Sequence, residues 1–406
     1  MSPHCGDHHR GWLTVILCCL VGILEGFDLL AAGVAGPRLA PLFGLGPVLL
    51  GFFFSSCSFG IMIGGVIGGR LSDYFGRKSI LLTSIALFGA MSIFNGLSGG
   101  VSSLLVTRFL TGVGLGGALA NLIALVAENT KQERRGFAVA TLYASFPVGG
   151  AVASLMTFLN NSPEGWRMLF FVGGSAPLAV IPLLYWFLPD SRRLQPSANI
   201  ARPAISTALF EQGRGSITLL LWTAFLLGLS ILHLMLNWLP SLLVARGISR
   251  ADSSLVQMVF TISGAIGSLL VGYILDRSSK ALIVILVFLL GIASILLLAM
   301  APATLKMSIL AGAAVGLTIM SSQMILYGLA PECYPTLVRG TGVGAAIAAG
   351  RFGSIIGPLF PTVLLEAGLG NRQILLALLP LFACSAGASA ILARRINGKY
   401  LTEKME

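Results

Sequence analysis

Apolar residues run along this chain in blocks of about 20, nearly end to end, with short polar punctuation between them. Blocks of that length match what a helix needs to cross the hydrocarbon core of a bilayer. They are continuous rather than alternating, which argues against the strands of a membrane barrel. Reading each block out to the nearest charge or turn signal predicts about twelve spans, at 11–35, 48–69, 79–97, 101–127, 136–159, 165–188, 216–244, 253–275, 281–300, 304–328, 341–366 and 372–394. The longest polar interval, 189–215, holds Pro189, Asp190, Arg192, Arg193, Pro196, Arg202, Pro203 and Arg214, and reads as a linker. The expectation is an all-α membrane protein with a tail (1–10), a six-helix half (11–188), the linker (189–215), a second six-helix half (216–394) and a second tail (395–406).

Composition strengthens that reading. The 406 residues are 56 % hydrophobic and only 10 % charged, whereas soluble domains carry roughly a quarter charged residues. A net charge of +11 would suggest nucleic acid in a soluble chain. Here the cations sit in short loops and set orientation instead, so no nucleic-acid partner is expected. With both termini placed inside, 18 of the 26 Lys and Arg fall on the inner side. Six fall outside (Arg38, Arg167, Arg246, Arg250, Lys306, Arg372), and Arg108 and Arg351 lie within spans. That bias predicts cytoplasmic termini.

The first block contains Glu25 and Asp28 and is long enough to remain as a span rather than a cleaved signal. The six cysteines have no metal or disulfide spacing and read as buried free thiols. Cys5 with His4, His8 and His9 reads as a tail. No cofactor or metal is expected, and no nucleophile–base set supports an enzyme.

An internal repeat divides the chain. Gly69-x-x-x-Asp73 recurs as Gly272-x-x-x-Asp276, Gly112-x-x-x-Gly116 as Gly312-x-x-x-Gly316, and Glu128 with Arg135-Gly136 as Glu332 with Arg339-Gly340. Three matches at nearly one spacing and in one order indicate parallel six-span repeats, an arrangement of transporters that bind substrate near the midplane. The densest charge in the first half is Gly69-Arg-Leu-Ser-Asp73-Tyr-Phe-Gly76-Arg77-Lys78, read as a tight wet turn between two helices. Its second copy has lost the trailing Gly-Arg-Lys. Gly69, Asp73, Gly76, Arg77 and Lys78 are gating candidates, joined by Arg108, Glu128, Arg135, Glu332 and Arg339 near the span ends and repeat motifs. Asp73 either latches onto the N-terminus of the eleventh span or merely shapes the turn.

Ionisable residues inside spans point to function, because each costs about 3 kcal/mol at the centre of a membrane helix. Glu25 and Asp28 share one helix face, and two close carboxylates resist double ionisation. They either couple transport to protons or brace a partner helix. Arg351, between Gly350 and Gly353, offers a fork matched to a carboxylate. It either captures an anionic substrate or is permanently paired with Asp28 or Glu25. His233, followed by Asn237-Trp238-Leu239-Pro240, is either a packing residue or part of a substrate or proton path. Tyr143, Tyr327, Trp238 and Phe352 either stack on an aromatic substrate or fill the core. Arg108 begins a Gly-x-Gly-x-x-Gly run that lacks a preceding strand, so it reads as helix packing rather than a nucleotide loop.

Gly69–Lys78, Arg108 with its glycines, and Pro331-Glu332-Cys-Tyr334-Pro335 through Gly342 together resemble the motifs of the major facilitator superfamily. Glu25-Gly-Phe-Asp28 and Gly350-Arg351-x-Gly353 with Gly357-Pro358 resemble its aromatic acid–proton symporters, although their first-helix motif usually begins with Asp. Ala120 stands where many relatives have proline, and Pro147-x-Gly149-Gly150 lacks the full antiporter signature, which favours import. The resemblance implies a monomeric carrier in a bacterial inner membrane that imports a small aromatic carboxylate, such as a hydroxyphenylpropionate, with protons by alternating access. Arg351, His233, Asn237, Tyr143 and Tyr327 would bind substrate, and Glu25 and Asp28 would handle the proton. The alternatives are an exporter or permease for another organic anion, benzoate-like or a dicarboxylate, and a transporter-like membrane sensor.

Overall fold

The structure is a computed structural model that describes residues 4–160, 162, 164–189, 205–211, 213–275, 279–335 and 338–403. Among these residues the ordered elements are helices: α1 (His4–Leu42), α2 (Pro47–Phe75), α3 (Arg77–Gly96), α4 (Val101–Glu128), α5 (Arg135–Leu159), α6 (Gly165–Phe187), α7 (Ile205–Phe210), α8 (Gly215–Val244), α9 (Arg250–Leu275), α10 (Lys280–Met300), α11 (Leu305–Leu329), α12 (Arg339–Glu366) and α13 (Asn371–Glu403). Two short 3₁₀ turns, Gln132–Arg134 and Ala330–Cys333, lead into α5 and towards α12. All but α7 contain a stretch long and apolar enough to span a membrane, twelve in total. The chain divides into two compact units. One comprises Met1–Ala198 with Arg250–Met258, and the other Asn199–Ser249 with Val259–Glu406.

Helix crossings are set by glycines that let backbones touch. In the first unit, a methyl group at Gly60 or Gly64 on α2 would strike the α4 backbone at Phe109 or Val113. One at Gly112 or Gly116 on α4 would strike Cys57 or Ile61 on α2 in return. The glycine run after Arg108 is therefore a packing seam. In the second unit Gly316 lies against Phe260 O, and Gly353 and Gly357 on α12 lie against Leu226 and Ser230 on α8.

Several boundaries differ from expectation, each for a physical reason. The charged stretch Gly69–Lys78 is not a ten-residue turn. Its first seven residues complete α2, α3 starts at Arg77, and the break is Gly76 alone, at φ 89° and ψ 147°. That backbone region favours glycine, so one residue suffices to reverse the chain. The first span continues past 35 to Leu42 and carries Pro37 and Pro41 within it. Arg38 is thus not in a loop. It is buried, and its guanidinium donates to Thr157 O (3.4 Å) and Asn160 O (3.2 Å) at the end of α5.

Arg167 likewise donates to Gly96 O (2.7 Å) at the end of α3. Arg246 reaches Leu298 O (2.5 Å) and Ala301 O (2.6 Å) at the end of α10. Three of the six minority-side cations therefore satisfy helix C-terminal carbonyls, where positive charge is favoured.

Residues 4–10, expected as a tail, are helical in α1, and α13 runs on to Glu403. The end of the expected linker folds as α7, held by Arg214 donating to Ala208 O (3.0 Å) and Thr207 O (2.8 Å). Asp190, Arg192, Arg193, Pro196, Arg202 and Pro203 of that linker, and Asp276 and Arg277 of the second repeat motif, lie outside the described residues. Cys18, Cys57 and Cys333 are buried, but Cys384 is exposed on α13.

Candidate functional site

In the first unit the acidic face of α1 is buried: Glu25 is 3 % exposed and Asp28 0 %. Asp28 meets Arg108 of α4, itself 1 % exposed, with Nη1 2.7 Å from Oδ1. Arg108 Nη2 also donates to Asp28 O (2.9 Å) and Leu29 O (3.2 Å), and the guanidinium stands 5.9 Å from the centre of the Phe170 ring. The Ser92 hydroxyl of α3 donates to Phe170 O at 3.2 Å and lies beside the Asp28 carboxylate. Arg108 therefore braces the middle of α1 by side chain and backbone together. The partner of Asp28 is Arg108, not Arg351.

In the second unit Arg351 on α12 is half-buried, and it is near enough to His233 of α8 and Tyr327 of α11 to act on both electrostatically. Among the described residues of its own unit, no carboxylate or other group pairs with its guanidinium. The backbones come together here because Gly350 lies against Phe225 and Leu229 of α8. Phe225 in turn meets the Tyr327 ring edge-on at 5.3 Å. His233 accepts or donates at Leu229 O (3.2 Å), and Asn237 donates to His233 O (2.8 Å), so both lean back on their own helix. Trp238 is buried with its indole N–H on Pro358 O (2.8 Å), which makes it a brace between α8 and α12. Phe352 is 53 % exposed, and Tyr143, in the first unit, is 41 % exposed with its ring against Phe146.

The charged ends of the repeat form matched ion pairs. Arg77 Nε is 2.7 Å from Glu128 Oε1 in the first unit, and Lys280 Nζ is 2.5 Å from Glu332 Oε2 in the second. Lys280 thus takes the place of Arg77, and the second copy keeps the function of the cation despite losing the Gly-Arg-Lys string. Lys78 stands 5.3 Å over the Tyr185 ring, and Asp73 is exposed. Gly69 has no packing neighbour that a methyl would meet, while Arg135 and Arg339 open α5 and α12.

A family model described as Major Facilitator Superfamily matches residues 18–358. The chain belongs to the major facilitator superfamily. It is a multi-pass membrane transport protein, not an enzyme. It is 37 % identical to the 3-(3-hydroxy-phenyl)propionate transporter of Escherichia coli (strain K12) over 91 % of each chain. It is 31 % identical to a gallate transporter of Pseudomonas putida, over 94 % of this chain and 91 % of that one. A bacterial homologue of the human lysosomal transporter Spinster has the same fold, with TM-score 0.77 at 14 % identity over 98 % of this chain and 99 % of that one.

Within this superfamily member two uncharged polar residues, absent from the charge pattern of the sequence, stand out. Gln323, one turn before Tyr327 on α11, is 5 % exposed, and neither atom of its carboxamide has a hydrogen-bond partner among the described residues. It presses against Gly228 of α8. Asn95, in the last turn of α3, is fully buried with both amide atoms in the same condition. A signal for both existed in the sequence: an amide within an apolar span costs free energy unless it is hydrogen-bonded.

Proposed function

We propose that this protein imports a small aromatic carboxylate, hydroxyphenylpropionate-like, by proton symport with alternating access in a bacterial inner membrane, both termini cytoplasmic. The observation that carries the reading is Arg351. A half-buried guanidinium with no counter-charge among the described residues of its own unit is costly in a membrane protein, and an incoming carboxylate would satisfy it with two parallel hydrogen bonds. Arg108 makes the contrast, since its charge is already answered by Asp28. His233 and Tyr327, which adjoin Arg351, and Asn237, one turn on from His233, are the proposed substrate contacts, and Gln323 offers an uncommitted donor and acceptor to a ring hydroxyl. Tyr143 is the contact proposed from the first unit. Glu25 and Asp28 carry or gate the proton, and Asp73 with the Arg77–Glu128 and Lys280–Glu332 pairs belongs to the gate.

The relatives named for 3-(3-hydroxyphenyl)propionate and gallate support the aromatic acid class. The test is uptake of labelled hydroxyphenylpropionate into membrane vesicles under an imposed inward proton gradient. Uptake should follow the gradient and disappear in Arg351→Ala while the protein remains in the membrane. Wild-type affinity in that variant, or gradient-independent uptake by the native protein, would reject the respective half of the proposal.

A further inference from the structure

Among the buried polar atoms of the first unit, four on three neighbouring helices have no hydrogen-bond partner among the described residues: Asp28 Oδ2, Arg108 Nε, and Asn95 Oδ1 and Nδ2. All three side chains are 0–1 % exposed. Their helices bring them to one level. A methyl at Gly114 would lie 2.6 Å from Phe88 N, and one at Gly117 2.5 Å from Ser84 Oγ, so α3 and α4 run antiparallel in that register. Seven residues on from Phe88 is Asn95, and seven back from Gly114 is Thr107, the neighbour of Arg108. Ser92, one turn from Asn95 on the same face, completes the link to α1. Gly173 of α6 lies against both Phe27 and Ser92 Oγ.

We infer that Asn95 holds a small water cluster against Asp28 Oδ2 and Arg108 Nε, and that this cluster is the route by which protons reach Asp28. The chemistry fits one or two waters. An internal water makes about three hydrogen bonds to otherwise unsatisfied groups. Here it would find an acceptor at Asp28, a donor at Arg108 and both kinds at Asn95. The other charged or titratable groups facing Asp28 are Glu25 on its own helix and Cys57 on α2. From α6 comes the Phe170 ring, and Arg167 sits at the α3 end, on Gly96 O. In this proposal the water enters from the α3–α4 connection. Asn95 O accepts from Ser98 N (3.1 Å), and the chain leaves the helix through Ser98-Gly99-Gly100, on the face assigned to the outside above. A hydronium in the cluster would pass its proton to Asp28 Oδ2, one O–H bond breaking on the hydronium and one forming on the carboxyl, with water left behind. Asn95 acts through that water and is a positioning residue.

This inference rests on the symport reading, and the experiment separates the two. Asn95→Leu removes the amide at similar volume, and Asn95→Ala is the second variant should the first pack badly. In vesicles, gradient-driven uptake should fall about a hundredfold, the scale of a lost proton-transfer group. Exchange of labelled for unlabelled substrate at equal pH on both sides, which moves no net proton, should stay within about twofold. Asn95→Ser should restore part of the gradient-driven uptake.

Radiolytic hydroxyl labelling of the intact protein reads the water directly. The α3 segment around Asn95 should be labelled in the native protein and protected in Asn95→Leu. Wild-type gradient-driven uptake in both apolar variants would overturn the relay, and equal labelling of native and variant protein would overturn the water site. A native protein that exchanges substrate but ignores the gradient would instead reject symport and, with it, the use of the cluster.

Discussion

The Asp28–Arg108 pair makes the sharpest energetic claim, because both groups are sealed from solvent. Replacing Arg108 with Ala removes the 2.7 Å ion pair and two donations to α1 carbonyls, and it strands a carboxylate that is 0 % exposed. Breaking a buried pair from one side costs about 3–5 kcal/mol, since the remaining charge has lost its compensation. For a folding unit of roughly 200 residues, about 2–4 °C of melting temperature goes with each kcal/mol, so the midpoint should drop by about 6–20 °C. Asp28→Ala should cost less, because Arg108 Nη2 keeps Asp28 O and Leu29 O. The double variant Asp28→Ala/Arg108→Ala leaves neither charge stranded, so its loss should fall about 2–3 kcal/mol short of the sum of the two single losses. The assay is thermal challenge in detergent followed by size-exclusion of the soluble fraction. Single variants that melt within about 2 °C of the native protein, or a double variant whose loss equals the sum of the two, would refute the assignment of Arg108 as the brace of α1.

Two further outcomes follow from the helix ends and the repeat. Arg246→Ala deletes two charge-assisted bonds to the last carbonyls of α10 and should lower stability by about 1–3 kcal/mol, with Arg246→Lys recovering part and uptake per folded molecule unchanged. The Lys280–Glu332 pair is only partly buried, at 17 % and 30 % exposure. Reversing Lys280 to Glu should therefore lower uptake, and Lys280→Glu with Glu332→Lys should restore it. No rescue in the swapped variant would remove the pair from the gate.

Much of this architecture was legible in the chain because a bilayer demands long apolar helices, and those are hard to disguise. The third to eleventh spans follow their apolar blocks closely. What escaped notice was decided by single residues. Gly76 ends α2 by its backbone alone, so the polar string before it stayed helical although its composition reads as a turn. Arg38 looks like a loop cation until the end of α5 appears beside it. Two arginines lie within spans, Arg108 and Arg351, and no periodicity within α1 selects which of them meets Asp28. Lys280 was hidden because matching by identity looks for Gly-Arg-Lys, whereas an ion pair needs only a cation at the right helical position. Asn95 and Gln323 were passed over because a count of charges ignores amides, though burial makes an unbonded amide costly as well.

The two repeats agree where they build and disagree where they act. The glycine seams and the Arg77–Glu128 and Lys280–Glu332 pairs occur in both units. The interior charges do not. The spacing that carries Gly112 onto Gly312 carries Arg108 onto Ser308, and the spacing that carries Arg135 onto Arg339 carries Arg351 back onto Pro147. Duplication alone would have left like with like, so each unmatched charge answers a demand that its own unit meets. In the first unit that demand is internal, because the partner of Arg108 is Asp28 of the same unit. In the second, Arg351 has no partner among the described residues of its own unit, and the proposed carboxylate substrate would offset its desolvation cost, about 3 kcal/mol on insertion scales. A carrier whose binding cation were permanently paired would gain little from an anionic substrate, and one whose brace were left unpaired would sacrifice stability in every state. The division of one closed pair and one open cation avoids both.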